Sequence, residues 1–475
     1  MSQYPILSFS SSHHPTSNEA SDRSEEEKWV IGTETTTRTD TIQSNTPSSS
    51  SYNQKHLKHF KILSYNLFMR PLVKTNASDY KDARLEELMM EWKSRRIDIL
   101  CLQELFSTAS YRSSRVLNEF CYKKNDHTNE EENVSENDSH CCYHYVHLQQ
   151  DYWKLKPIDS GLFILSRFPI VERDAFIFSQ GCDIDGYTTK GVIYARVDLQ
   201  CETLSSKSTN EIPMNTHSKQ CLVFNTHTQA NYDLTNPKYW KIQQSQIIEI
   251  ALFVSEKMKQ HPSVPVLICG DFNVDARNRQ EWYDWMMKTM NDIIFNENIR
   301  SEMANKYTLI RAPTVGLNDP GTETTRNVTS SSPHHTYHSD MNRQCNASCS
   351  NHDNIENVNT SSQTFLHDII LEHHKRHPIT FGDVILDEDT KQEKPREIHL
   401  SHPHTLCTKQ RLDYIFHIHQ ESSSSVCTKT RLECIKCYVE PFFRTPNHIM
   451  PCTQLSDHYS VYAEFCVVDD AVEQN

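Results

Sequence analysis

Glycine is scarce, with 9 in 475 residues. No run reads G-x-G-x-x-G or G-x-x-x-x-G-K-[ST]. The glycine-rich turns that cradle dinucleotides and nucleoside triphosphates are therefore excluded. Long apolar runs are missing too. No stretch reaches about 18 consecutive apolar residues, so no membrane-spanning helix is expected. Residues 1–28, "MSQYPILSFSSSHHPTSNEASDRSEEEK", lack the basic start and long apolar centre of a secretory signal. The expectation is a cytoplasmic protein of a reducing compartment. Positive charge is short: 48 Lys and Arg against 62 Asp and Glu, a formal net charge of -14. A dedicated nucleic-acid binder would show a basic stripe. The balance still leaves room for a nuclease with a local phosphate-binding patch. Cysteine is not short, at 16. Cys101, Cys221, Cys269 and Cys466 lie in apolar strand-like runs, where a thiol packs as a small hydrophobe. Cys434 and Cys437 form a single C-x-x-C with no second pair at zinc spacing, so no four-ligand set is visible.

The apolar fraction is 36%, low for a chain of this length, which points to a folded core diluted by polar segments. Residues 1–57 are rich in Ser, Thr, Asn and charge without a period, and read as a disordered tail. Residues 123–140 read as a polar acidic loop. Residues 323–404 read as a low-complexity insertion, mostly disordered, with a helix predicted near "FLHDIILEHHKRH" (365–377). Its histidines show no regular metal spacing. Residues 469–475 form an acidic tail.

Between these segments the texture alternates. "FKILSYNLF" (60–68), "IDILCLQEL" (97–105), "SGLFILSRFPI" (160–170), "KGVIYARVDL" (190–199), "QCLVFNTHTQA" (220–230), "VPVLICGDFN" (264–273), "RLDYIFHIH" (411–419) and "SDHYSVYAEFCVV" (456–468) read as strands. Residues 78–96 place Leu85, Leu88, Met89 and Trp92 on one helical face, with Ser78 or Asp79 as cap. A long helix is predicted over 237–260, opened by Pro237 and followed by Pro262. Another is predicted over 279–292. Two sheets with helices on their outer faces satisfy this pattern.

The strands end in polar groups: Asn66, Glu104, His227, Asp271 with Asn273, Asp413, and the pair Asp457–His458. Any one has an ordinary reading, as a turn residue, a cap or a hydrogen-bonded core histidine. Together they suggest a site, because strand ends are where an α/β scaffold gathers one. Glu104, Asn66, Asp271 and Asn273 offer hard oxygen ligands, which suit Mg²⁺ or Mn²⁺ rather than zinc. Asp271 and Asn273 are two apart, and extended chain would turn both to one face. An imidazole with a carboxylate behind it can take a proton from water, and His458 with Asp413 fits. A second imidazole can donate to a phosphoryl oxygen, and His227 with Asn273 fits.

The ordered set "SYNLF", "LQE", "NTHTQA", "GDFNV", "RLDYIF" and "SDHYSV" resembles the endonuclease/exonuclease/phosphatase, or DNase I-like, superfamily. It covers roughly 58–322 and 406–468. Within it the chain most resembles the neutral sphingomyelinases. "NTHTQA", "SGLFILSRFPI", "GCDIDGYTTKGVIYARV" (181–197) and "LDYIF" with "LSDHYSV" carry that likeness. "RLDYIF" lacks the Arg-containing motif of the inositol phosphatase branch. The resemblance implies a four-layered α/β/β/α sandwich over 58–468. It implies Glu104 as direct metal ligand with Asn66 as its neighbour, and Asp457 on the metal side through water. It implies Asp271 and Asn273 beside the scissile phosphate, His227 as phosphate stabiliser, and His458 as general base oriented by Asp413. Mg²⁺ would be the cofactor, and a sphingolipid or other phosphodiester at a membrane surface the substrate. No dedicated nucleic-acid partner is expected. A monomer meeting membranes peripherally is expected, with Phe442 and Phe443 as the candidate interfacial anchors.

Overall fold

The structure is a computed structural model. It describes residues 58–71, 79–122, 143–148, 156–200, 219–311, 365–418, 430–446 and 450–469. The tail 1–57, the loop 123–140, residues 323–364 and residues 470–475 lie outside them. All described residues belong to one compact unit, Lys55–Asn475.

The elements run in this order. β1 (Lys58–Asn66) leads to α1 (Lys81–Ser94), β2 (Ile99–Gln103) and α2 (Arg112–Phe120). Next come β3 (His144–His147), β4 (Phe163–Ser166), β5 (Ile170–Ile177), β6 (Gly191–Asp198) and β7 (Gln220–His227). α3 (Pro237–Gln260), β8 (Val266–Asp271), α4 (Gln280–Phe295), α5 (Glu297–Lys306) and β9 (Ile310–Arg311) follow. The last part holds β10 (Leu366–Asp368), α6 (Ile369–His374), β11 (Val384–Leu386), β12 (Glu393–Pro395), β13 (Asp413–Ile418), β14 (Thr430–Glu440) and β15 (Ser460–Asp469).

The strands form a six-stranded sheet, β14-β15-β1-β2-β4-β3, a seven-stranded sheet, β10-β13-β8-β7-β6-β5-β9, and a separate two-stranded pair, β11-β12. Three apolar clusters give the layers. Ile62, Ile99, Ile164, Ile193, Val223, Leu267 and Phe465 belong to the core between the sheets. Phe224, Phe253, Ile268, Met286 and Met290 pack α3 and α4 on the seven-stranded sheet. Leu63, Leu85, Leu88, Trp92, Leu100 and Leu165 pack α1 on the six-stranded sheet. The result is the predicted α/β/β/α sandwich.

Several local readings change. α1 has no side-chain cap. Tyr80 precedes it in left-handed backbone, and Asp79 pairs instead with Lys81 at 2.9 Å. Ser78 lies outside the described residues. α3 follows the sequence reading, with Pro237 in its first turn and the Asn236 side chain accepting from Lys238 N. The 323–404 segment is not a polar insertion to its end. Residues 365–404 are structured, and they pack through Leu366, Ile369, Ile370, Phe381 and Leu400, all buried. This stretch is fixed beside β13 by the pairing of β10 with that strand and by a buried pair, Asp368 with Arg411 just before β13, at 2.7 Å. Tyr283 on α4 donates to the same carboxylate at 2.9 Å. The helix predicted over 365–377 is a short strand followed by the six residues of α6.

Candidate active site

Register brings three site residues side by side. β7 and β8 run parallel with His227 opposite Asp271. β13 runs antiparallel to β8 with Asp413 opposite Asp271. On the facing sheet β1 and β2 are parallel, with Asn66 opposite Gln103 and Glu104 one residue on. A buried amide ties the two sheets close by. Asn225 donates to Leu102 O and Phe163 O at 2.9 Å, and accepts from Gln103 Nε2 at 2.7 Å.

Backbone form explains the glycine before Asp271. Gly270 has φ +146°, and a Cβ there would lie 2.2 Å from Thr226 O. Only glycine lets β8 approach β7 so closely at the point where both present a site residue. Gly161, at φ +64°, does the same for Glu104, whose backbone a Cβ would meet at 3.0 Å. Glu104 (φ 58°) and Asn273 (φ 50°) are both in left-handed backbone. Non-glycine residues occupy that region at some cost, often at functional sites. Asn273 is therefore not extended, and the same-face argument for Asp271 and Asn273 does not hold. Asp271 Oδ1 instead accepts from Asn273 N at 2.9 Å. The Asn273 amide reaches Thr228 O at 3.2 Å.

The other groups close around Asp271. Asn66 Nδ2 donates to Asp271 Oδ2 at 3.0 Å and lies 3.4 Å from Glu104 Oε1. Asn66 Oδ1 accepts from Phe68 N, so this residue holds both carboxylates in place. His458 Nδ1 is 2.9 Å from Asp413 Oδ2, and its Nε2 is 3.8 Å from Asp271 Oδ2. His227 Nε2 is 3.6 Å from the same oxygen. Asp457 stands beside His458, also buried. Every site residue named from the sequence thus gathers here, except the membrane pair. Phe442 is buried and packs on Tyr65, with ring centroids 5.3 Å apart. It is not an interfacial anchor. Phe443 is 52% exposed.

The electrostatics follow from burial in this crowd of carboxylates. Burial, with Asp413 next to it, pushes Asp271 up to about 7. Burial pushes Asp457 up to about 6. Burial alone would lower His458, but Asp413, Asp271 and Asp457 carry it up to about 10. Burial, Lys190 and His458 hold His227 well below the ordinary range, so it is neutral.

Sequence reasoning passed over several positioning residues. Lys190 is buried, with Nζ 3.1 Å from His227 Nε2, 2.7 Å from Thr228 O and 3.1 Å from Asp185 Oδ1. An ammonium can only donate, so Nε2 accepts and the ring proton of His227 sits on Nδ1. That Nδ1 is buried with no hydrogen-bond partner. Gln229 Nε2 and Ala230 N both donate to Asp185 Oδ2 at 2.9 Å, which locks the loop after β7. The "TTKG" run was the available signal, since a lysine entering an apolar strand must be paired. Arg84 is fully buried. It donates to Asp79 O, Leu67 O, Leu455 O and Phe68 O at 2.7 to 3.0 Å. It pins the loops that follow Asn66 and precede Asp457. Thr380 Oγ1 accepts from Leu412 N at 2.9 Å, and the Phe381 ring lies 4.8 Å from that of His458. Part of the supposed insertion thus supports the site.

The donor set fits a hard cation. Glu104 Oε2 and Asp457 Oδ1 are buried without hydrogen-bond partners. Arg70 Nε stands 3.8 Å from Glu104 Oε2, and carboxylate oxygens so little hydrogen-bonded at low exposure suit a hard cation. Asp271, Asp413 and His458 also place ligand atoms within 4.8 Å of one another. The short His458–Asp413 bond marks that trio as a proton-handling group.

The sequence profile of the Endonuclease/Exonuclease/phosphatase family matches residues 63–458. The chain belongs to this family. Among curated relatives, it is 24% identical over 427 residues to a sphingomyelinase of Dictyostelium discoideum, covering 81% of this chain and 74% of that one. It is 28% identical over 148 residues to sphingomyelinase C of Bacillus cereus, covering 30% of this chain and 38% of that one. Among solved structures it is similar to a beta toxin of Staphylococcus aureus with bound magnesium ions. That likeness has 16% identity, a TM-score of 0.42, and covers 86% of this chain and 99% of that one. As an endonuclease/exonuclease/phosphatase family member with this site, the protein is a hydrolase acting on phosphodiesters. No helix among the described residues is long and apolar enough to cross a membrane.

Proposed function

We propose that the protein is a Mg²⁺-dependent sphingomyelin phosphodiesterase, releasing phosphocholine and ceramide. The observation that carries the reading is the His458–Asp413 pair facing Asp271, beside the buried oxygens of Glu104 and Asp457 that accept no hydrogen bond. Sphingomyelin is favoured over nucleic acid by the sphingomyelinase relatives and by the acidic net charge. A zwitterionic head group needs no basic groove.

Glu104 and Asp457, with Asn66 holding Glu104, would bind the cation. When bound, it would neutralise phosphate charge and stabilise the leaving oxygen. His458 in its neutral form accepts a proton from the attacking water at Nε2. Asp413 fixes the tautomer through Nδ1 and stabilises the imidazolium that forms. The carboxylates around His458 hold its proton in the site as described, so positive charge beside Glu104 and Asp457 favours the working base. His227 Nδ1–H and the Asn273 amide are the donors for charge developing on the phosphoryl oxygens. Phe443, exposed before the Asp457–His458 loop, is the aromatic group placed to meet a bilayer.

Purified protein mixed with sphingomyelin vesicles and Mg²⁺ should release phosphocholine, and EDTA should abolish the release. A parallel tube of supercoiled DNA should stay uncut. Nicked DNA with untouched lipid would move the function to a nuclease of the same family.

A further inference from the structure

A second cluster lies away from the catalytic cleft. Cys434 and Cys437 are on β14, the outer strand of the six-stranded sheet. In a regular strand, residues three apart point to opposite faces. Here the pairing slips at Ile435, so that Cys434 stands opposite Phe465 and Cys437 opposite Ala463. Phe465 and Ala463 are two apart in a regular run of β15 and share a face. The bulge therefore turns both cysteines to one side. Both are free thiols; that of Cys434 donates to Lys436 O at 3.7 Å and that of Cys437 to Ile369 O, in α6, at 3.5 Å.

α6 ends against this pair. His373, His374 and Cys437 each offer one ligand atom, and the three atoms lie within 4.8 Å of one another. His374 Nε2 is 3.0 Å from Cys437 O, which holds that ring against the strand carrying the thiols. A cavity of about 460 Å³ opens at this edge, and its lining includes His373, Glu372 and Cys434. His373 and His374 are exposed, Cys434 is half-buried and Cys437 is buried. An ion would have a way in from solvent.

We propose that His373, His374, Cys434 and Cys437 form a zinc(II) site. Two thiolates and two imidazoles are a tetrahedral zinc set. Soft sulfur ligands reject Mg²⁺, so this site and the oxygen-lined cleft take different metals. Binding forms two Zn–S and two Zn–N bonds and releases the two thiol protons to solvent, with no oxidation. The sequence shows the C-x-x-C but not its partners, because the histidines lie 60 to 64 residues earlier and only the fold brings them together. The effect is mechanical. α6 follows β10, the edge of the seven-stranded sheet, and β14 is the edge of the six-stranded sheet. The ion would clip the two sheets together along one side.

The test uses the full chain, reduced with a phosphine, stripped with a chelator, and held in excess Mg²⁺. Cobalt(II) is then titrated in. One equivalent should give visible d–d bands and a near-ultraviolet thiolate-to-cobalt band, both removed by one equivalent of zinc. Zinc should also raise the melting temperature. Cys434→Ser with Cys437→Ser should lose the thiolate band. Should that variant fail to fold, His373→Ala with His374→Ala changes only exposed side chains and should weaken cobalt binding at least tenfold. Absence of a thiolate band in the reduced wild type would overturn the proposal. So would unchanged cobalt affinity in the histidine variant.

Discussion

Asp457→Asn should make the protein more stable and less active. Asp457 is 6% exposed, and its acid is pushed from 3.8 up to about 6, chiefly by burial. An acid whose folded pKa is raised binds its proton more tightly when folded. Its ionisation therefore costs the folded state nothing below about pH 3.8. The cost grows as pH rises and is complete above about pH 6. A shift of about two units, at about 1.4 kcal/mol per unit, gives ~3 kcal/mol at neutral pH. Asn carries no charge and should recover about 1–3 kcal/mol of this, since its own amide must also be accommodated. At pH 5 the wild-type penalty is only about half, so the gain should shrink accordingly. Urea unfolding in EDTA at pH 7.5 and pH 5 reads both values, with no cation contributing. Phosphodiesterase activity should fall by orders of magnitude in the same variant, the trade expected where a site holds strained charge. A destabilised Asp457→Asn, or a gain equal at the two pH values, would refute the reasoning.

Other expectations follow from single contacts. Asp413→Asn removes the carboxylate that most raises His458. The acid limb of the rate profile should move to lower pH, while kcat falls by about 10²–10⁴-fold, and an imidazole NMR titration would report the shift directly. Lys190→Met frees the His227 tautomer. It should lower kcat by about 10²-fold with little change in KM, read from vesicle kinetics. Arg84→Ala strands four backbone carbonyls around a buried space. It should cost about 3 kcal/mol or more in urea unfolding, although Arg84 touches none of the reacting groups.

What the sequence made legible was what depends on local pattern. Apolar runs and their polar ends gave the strands, the sandwich and the site residues, because β-register converts strand ends into neighbours. Where a contact distant in sequence decides, the reading failed. Residues 365–404 look like polar filler by composition, yet a few apolar anchors and the Arg411–Asp368 pair fold them against β13. β14 went unread because a bulge at Ile435 breaks the two-residue period. Asp79 looked like a helix cap until Lys81 claimed it. Asn273 looked extended, but its backbone is left-handed. Phe442 and Phe443 are identical neighbours in sequence, and only packing on Tyr65 separates the buried one from the exposed one.

The central claim is that His458 drives a cation-dependent attack on the phosphodiester of sphingomyelin. Initial rates of phosphocholine release from sphingomyelin vesicles test it most directly, for wild type and His458→Ala, each in Mg²⁺ and in EDTA, with thermal melts run alongside. The account predicts release by the wild type in Mg²⁺ alone, and a loss of about 10²-fold or more in a His458→Ala protein that still melts cooperatively. Near-wild-type release by a folded His458→Ala, or release that survives EDTA, would contradict it.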